Sequence, residues 1–230
     1  MLTKEYIIFF KDLGQNNNRD WFLKQKDRYE KHAKIPFIKL IQNVLLELNK
    51  DHVRYPVEAQ KTLFRINRDV RFSTDKSPYH TILKSSITQS GKKSEMPAIY
   101  IGADAHTLRI GGGLYMIPPQ KSKAIRSFVA SNIQELIALE EAPSFVSHYG
   151  RIKGDKYKRE DSIAQTVSTK STLLLHKQFY YMTELPLEKY LNRDLTSIII
   201  PYIEAGKPVN QFLTDAIIQV DQNNEQYEFR

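Results

Sequence analysis

The chain contains no cysteine. That excludes disulfides, thiolate metal sites and cysteine nucleophiles, and it is compatible with a reducing compartment. Long apolar runs are also missing. The N-terminal stretch MLTKEYIIFFKDLG has charges on both sides of a few apolar residues, too short and too interrupted for a signal peptide. The most apolar later run, Ser197 to Ile203, is broken by Pro201 and falls far short of a membrane span. The expectation is a cytoplasmic protein with no membrane partner. No internal repeat, low-complexity tract or linker is present, so residues 1–230 are expected to form a single domain.

The common catalytic signatures are absent as well. His32, His52, His80, His106, His148 and His176 stand singly, with no spacing that brings two of them to one metal. There is no G-x-S-x-G elbow and no D-x-D pair. Gly111, Gly112 and Gly113 match neither the dinucleotide fingerprint nor the P-loop, because the spacings differ and no Lys-Ser/Thr follows. Neither a metal nor a cofactor is expected. Whether the protein is an enzyme stays open.

Charge is what the chain has in excess. A formal net charge of +8 keeps nucleic acid in play as a partner. The basic residues are nevertheless spread along the sequence. The densest stretch, Arg151 to Arg159 (RIKGDKYKR), sets five cations against Asp155. It reads as a mobile solvated loop in preference to a phosphate-contacting one.

Apolar spacing divides the chain into helices, then strands, then helices. Thr3 and Gly14 bracket a first helix, and a second starts near Asp20. Pro36 opens a third, where Phe37, Leu40, Ile41, Val44, Leu45 and Leu48 recur at steps of three and four. Period-two alternation follows at Leu63 to Phe72, Ile82 to Gln89, Pro97 to Gly102 and Thr107 to Met116, with one more strand at Gln178 to Leu185. Pro118 and Pro119 open a helix to about Ala138. Two helical segments, Glu188 to Tyr202 and Val209 to Val220, close the chain before a polar tail from Asp221. The pattern predicts an α+β fold: an antiparallel sheet of about five strands with helices packed on one side. Trp21 is expected to pack as a core anchor against the strands.

One segment stands apart. Arg65 to Thr81, RINRDVRFSTDKSPYHT, interleaves Arg65, Arg68, Arg71 and Lys76 with Asp69, Asp75, Tyr79 and His80, and with apolar Phe64, Ile66, Val70 and Phe72. As a strand it places Phe64, Ile66, Arg68, Val70 and Phe72 on one face. A guanidinium on that face needs carboxylate or carbonyl partners, so Arg68 is expected to be more buried than Arg65 and Arg71. Arg65, Asp69 and Arg71 form a polar stripe on the other face. Its forked donors suit a phosphate or a carboxylate. Lys76 and Tyr79 fall beside the stripe. Glycines inside a strand let another group approach the backbone closely, so Gly112 joins the candidate ligand-binding set of Arg65, Asp69, Arg71, Lys76 and Tyr79.

Three stretches carry a resemblance. They are N-N-R-x-W-F at Asn17 to Phe22 with Arg28-Tyr29 after it, R-x-x-R-D-x-R-F-S-x-D-K-x-P-Y-x-T at Arg65 to Thr81, and G-G-G-L-Y-M with prolines at Gly111 to Pro119. Together they resemble an uncharacterised conserved family, a domain of unknown function found mostly in bacteria and also in fungi. The resemblance covers nearly the whole chain and implies a single cytoplasmic domain with no established activity. One departure is His80-Thr81-Ile82 after the proline-tyrosine, where relatives often carry lysine-threonine-histidine. Three readings remain open: a protein binding an anionic small molecule, a nucleic-acid binder, and a non-catalytic interaction module whose charged segment is a structural ion-pair network.

Overall fold

The alternating segments become strands wherever both partners have free backbone groups. A computed structural model describes residues 1–228 apart from 51–54, 57, 90, 92–93, 160–161, 166–167 and 169–170. His52 and the last two residues of the polar tail lie outside the described residues. The sheet is antiparallel and four-stranded, in the order β1 (Ile82–Ile87), β2 (Ala98–Asp104), β3 (Thr107–Leu114), β4 (Phe179–Pro186), with helices packed around it. The fold class is α+β, with four strands rather than five. The missing strand is Leu63 to Phe72, which makes only isolated bridges, Leu63 to Ser85 and Asn67 to Tyr79. Its polar side chains take the backbone groups that a ladder needs. Asp69 accepts from the Arg71 N–H and Asp75 from the Ser77 N–H, and Pro78 has no N–H to give.

The chain divides into two compact units. The first comprises Met1–Lys92, Tyr100–Ile110 and Glu184–Pro201. Here α1 (Lys4–Gln15) buries Tyr6, Ile7, Phe9, Phe10 and Leu13, and the Tyr6 hydroxyl donates to the Ala103 carbonyl at 2.8 Å. The Asn18 side chain caps α2 (Arg19–Lys24) by accepting from the Trp21 N–H at 2.9 Å. Helix α3 (Lys26–Tyr29) passes through a π turn at Glu30–Lys34 into α4 (Ile35–Leu48), with Pro36 in the first turn of α4. All six apolar positions expected on one face of α4 are buried. A short α5 (Ala59–Thr62) leads to the charged segment. Trp21 departs from expectation. It is only half-buried, beside Phe9, and the buried ring at this helix start is Phe22. Asn18 as cap fixes the phase of α2, and that phase turns residue 22 inward.

The second unit comprises Lys93–Ile99, Gly111–Thr183 and Tyr202–Arg230. Its core gathers Ile125, Val129, Leu136, Phe145, Phe179, Tyr181, Val209, Phe212 and Leu213. The helix expected after Pro119 is two, α6 (Pro119–Ser131) and α7 (Ile133–Glu141), because the backbone leaves helical geometry at Asn132 (φ −117°, ψ 28°), where both its N–H and its side chain donate to the Phe128 carbonyl. Helices α8 (Pro143–Tyr149) and α9 (Ser162–Gln165) follow. The basic stretch 151–159 is not a free loop. Lys153 exchanges backbone hydrogen bonds with Tyr180, and the Tyr157 N–H donates to Leu175.

The chain closes on α10 (Leu195–Glu228), one helix where two were expected. It runs through the exposed Pro201 and Pro208. Each proline removes one hydrogen bond. Burial of Ile199, Ile203, Val209, Phe212, Leu213, Ala216 and Val220 at helical spacing outweighs that loss. Among the described residues no helix is long and apolar enough to cross a membrane.

Candidate functional site

The charged segment folds as an irregular hairpin on the edge strand β1. Its backbone bonds run from the Phe64 N–H to Lys84, from the His80 N–H to Ile66 and from the Arg68 N–H to Pro78, at 2.7–2.9 Å. From one bridge to the other the first arm advances four residues and the second six. The second arm therefore bulges, which bends it and re-aims its side chains. His80 and Lys84 sit on this bulged arm.

The hairpin is anchored at Tyr79. The Asn17 side chain clamps the Tyr79 backbone, donating to its carbonyl at 2.9 Å and accepting from its N–H at 3.1 Å. The Tyr79 ring stacks on Phe22 with centroids 4.0 Å apart, and Phe22 meets Tyr29 at 5.2 Å. Arg28 pairs with Asp12 at 2.8 Å and lies over Phe9. The two separate stretches Asn17 to Phe22 and Arg65 to Thr81 thus build a single structural joint. Tyr79 is buried in it, so its ring faces core and not ligand.

The remaining loop residues largely satisfy one another. Arg71 grips Asp69 through Nε at 2.9 Å and Nη2 at 2.6 Å, holding that carboxyl below the usual carboxylate range. Asp75 accepts from Ser77 and from Arg68 and is depressed further. Arg68 also donates to the Ser77 carbonyl at 3.2 Å. Lys76 donates to the Val70 carbonyl at 3.0 Å. Arg65 is exposed and has no ion pair among the described residues. As expected from the alternation, Arg68 is the sheltered arginine: its side chain is 22% exposed against 76% for Arg71. The supposed apolar face is not buried throughout. Ile66 is, but Phe64 is exposed and Phe72 is 95% exposed.

Lys84 differs from the other cations. It is half-buried, its Nζ lies 5.8 Å from the Phe64 ring centroid, and it has no carboxylate partner among the described residues. Burial lowers its affinity for a proton, and the charge of Arg68 lowers it further. His80 is lowered by burial first, then by Lys84 and Arg68. Arg68, His80 and Lys84 therefore form one partly sheltered cationic cluster with Asp75 as its only neutralising group among the described residues. Sequence reading passed over Lys84 because it sits in a strand. A single lysine inside ILKSSI was the available signal.

Gly112 lies in the second unit, and the space beside it is filled. A Cβ there would fall 2.7 Å from the Tyr181 Cζ and 2.9 Å from the Ala98 carbonyl oxygen. The close approach that the glycine allows is made by the protein's own tyrosine.

An open cleft of about 450 Å³ borders the hairpin at Thr81, between the C-terminal end of α1 and the turn after β2. Lys11, Gln15, Asp104 and His106 line it. Partial burial pushes the Asp104 carboxyl up. Hydrogen bonds from the His106 and Thr107 N–H groups at 2.7 Å and from Arg109 outweigh that and hold it below its usual range. With Arg109 also bound to Glu184 at 2.9 Å, this carboxylate is committed to structure. Among the described residues no group of three or more histidine and carboxylate side chains could hold a metal ion.

Comparison with curated proteins gives no match. The same residues that build the Asn17–Tyr79 joint and the glycine-lined strand β3 fall within a match to one family model, over residues 5–212. The chain therefore belongs to the conserved hypothetical protein family DUF2461.

Proposed function

We propose that the hairpin from Phe64 to Lys84 binds a small molecule bearing a phosphate or a carboxylate. The observation that carries this reading is Lys84. A half-buried ammonium beside Arg68 and His80, with no carboxylate partner among the described residues, is unfavourable unless an anion joins it. Arg65, Arg71 and Lys76 supply outer cations on the same loop. The Arg71–Asp69 pair is exposed, so it is worth little to the fold and can yield to an incoming anion that offers the same forked geometry. In this reading Asp69 orients Arg71, and Tyr79 fixes the backbone of the bulged arm. No chemical step is assigned.

A second reading has its own support. The Arg68–Asp75–Ser77 cluster and the Lys76 contact to Val70 brace the loop whether or not a ligand is present. On that view the protein is a non-catalytic interaction module. Thermal denaturation with inorganic phosphate and with citrate separates the two. The binding reading expects stabilisation of the wild-type chain that is lost in Lys84→Met, which keeps the stem and removes the charge. The stabilisation should grow as pH falls below the ordinary histidine range, because burial and the charges of Lys84 and Arg68 hold the His80 pKa down and protonated His80 then adds a cation. Absence of stabilisation by either anion would leave the bracing reading in place.

A further inference from the structure

Among the described residues no large apolar side chain is as exposed as Phe72, at 95%. Its exposure does not come from a loose loop. On either side of it the Val70 carbonyl is held by Lys76 at 3.0 Å and Asp75 is held by Arg68 and the Ser77 N–H. A braced loop that presents one bare aromatic ring is built to meet a flat apolar surface. The groups around the ring are cationic. The Arg71 guanidinium carbon lies 5.8 Å from the ring centroid. Arg68 comes within 3.5 Å of the Ser73 hydroxyl, one residue along the chain from Phe72. One of the three members of the anion cluster therefore reaches the residue next to the exposed ring.

Resting on the anion reading above, we infer that the bound anion carries an aromatic base: the ligand is a nucleoside phosphate, with its base stacked on Phe72 and its phosphate on the Arg68 side. A stacked base needs one ring face and cations within a phosphate's reach. A protein partner would need a wider apolar patch than a single phenyl ring among charged residues. A membrane surface would also accept the cations, but one ring gives it little to bury. The shared chemistry of a planar base and a phosphate fits both a free nucleotide and a single-stranded chain end.

Calorimetric titration of the full chain tests this with inorganic phosphate, ribose 5-phosphate, adenosine monophosphate, a ten-residue oligothymidylate and vesicles of phosphatidylglycerol. Adenosine monophosphate is expected to bind about tenfold tighter than ribose 5-phosphate, the usual worth of one stacked base. Phe72→Ala is expected to remove that preference while leaving ribose 5-phosphate binding unchanged, since the ring supports no core packing. Tighter binding of the oligothymidylate than of the mononucleotide identifies strand ends as the source, and equal binding identifies free nucleotides. If ribose 5-phosphate binds as tightly as adenosine monophosphate, or Phe72→Ala keeps the preference, the inference falls and the anion reading stands. Phe72-dependent binding to vesicles without any nucleotide preference overturns it in favour of a lipid surface. If no phosphate compound binds at all, this inference falls, and with citrate also failing to stabilise the chain the anion reading itself has failed.

Discussion

Replacing Gly112 by alanine separates two roles for the glycine-rich strand. The new methyl would sit 2.7 Å from the Tyr181 Cζ and 2.9 Å from the Ala98 carbonyl oxygen. Carbon contacts are comfortable only at about 3.5–4.0 Å. The tyrosine has little room to retreat. It is buried, its hydroxyl donates to the Gly206 carbonyl at 2.9 Å, and Gly206 itself has no space for a side chain, with a Cβ there 2.5 Å from the ring. Overpacking of this kind costs roughly 1–3 kcal/mol. Loss or distortion of the phenol hydrogen bond adds about 1 kcal/mol. Against this, alanine recovers roughly 0.5–1 kcal/mol of chain entropy relative to glycine. The net expectation is a loss of about 1–3.5 kcal/mol, or about 2–14 °C in Tm for a chain of this length. Urea denaturation followed by far-ultraviolet circular dichroism measures it. In a Tyr181→Leu background the same change should cost less than in wild type, because the phenol is gone and only the contact with the Ala98 carbonyl remains. Phosphate binding should be unaffected in the Gly112→Ala chain. A stability within about 0.5 kcal/mol of wild type, well inside the normal range for harmless surface changes, refutes the packing argument. If phosphate binding is lost at the same time, Gly112 belongs to the ligand.

Two further outcomes follow from the geometry. Asn17→Ala removes both hydrogen bonds to the Tyr79 backbone and is expected to cost about 1–3 kcal/mol, with faster hydrogen exchange at the Tyr79 and His80 amides; unchanged exchange there would show that Phe22 alone holds the joint. His176 is buried with its Nδ1 unpartnered among the described residues, and burial, helped by the charge of Lys156, lowers its pKa to about 4. A lowered histidine pKa means that the unfolded chain binds the proton more readily. The stability it contributes is therefore full above about pH 6.5 and is lost as pH falls toward 4, with about 2 kcal/mol gone at pH 5. Urea midpoints at pH 7 and pH 5 should differ less in His176→Gln than in wild type, and an equal difference in both would clear this residue of the effect.

Much of the fold was legible because local spacing decided it. The buried face of α4 and the four strands that formed could be read from periods of 3.6 and two. The failures share a cause in long-range or side-chain competition. Leu63 to Phe72 has the alternation of a strand, yet Asp69 and Asp75 turn back onto nearby N–H groups and Pro78 offers none. The gap expected between Tyr202 and Val209, which contains Pro208, does not form, because the apolar stripe of Ile199, Ile203, Val209 and Leu213 runs on through α10 while Pro201 and Pro208 stay exposed. The glycines did announce a close approach. That the approaching group is Tyr181, some seventy residues downstream, was not readable from the local pattern.

The candidate site was half legible for a related reason. Between Phe64 and Lys84 the sequence holds five fixed cations and two carboxylates, so an excess of positive charge follows from composition alone. Which cations are in excess is decided by pairing. Asp69 takes Arg71 and Asp75 takes Arg68, both through contacts at most seven residues apart in the chain. Lys76 turns to a carbonyl at the loop's own base. That leaves Arg65 in open water, where an unpaired charge costs little, and Lys84 half out of it, where the cost is real. Lys84 escaped notice because strand alternation accounts for it as an ordinary outward residue of β1. The bulge across from Ile66 is what gathers it with His80 and Arg68, and a bulge is set by the mismatch of two arms that only meet in the folded chain. An anion at this cluster would relieve the one cation of the hairpin that is both sheltered and without a carboxylate partner among the described residues, and for that reason the binding reading rests on Lys84 more than on the arginine stripe that first draws the eye.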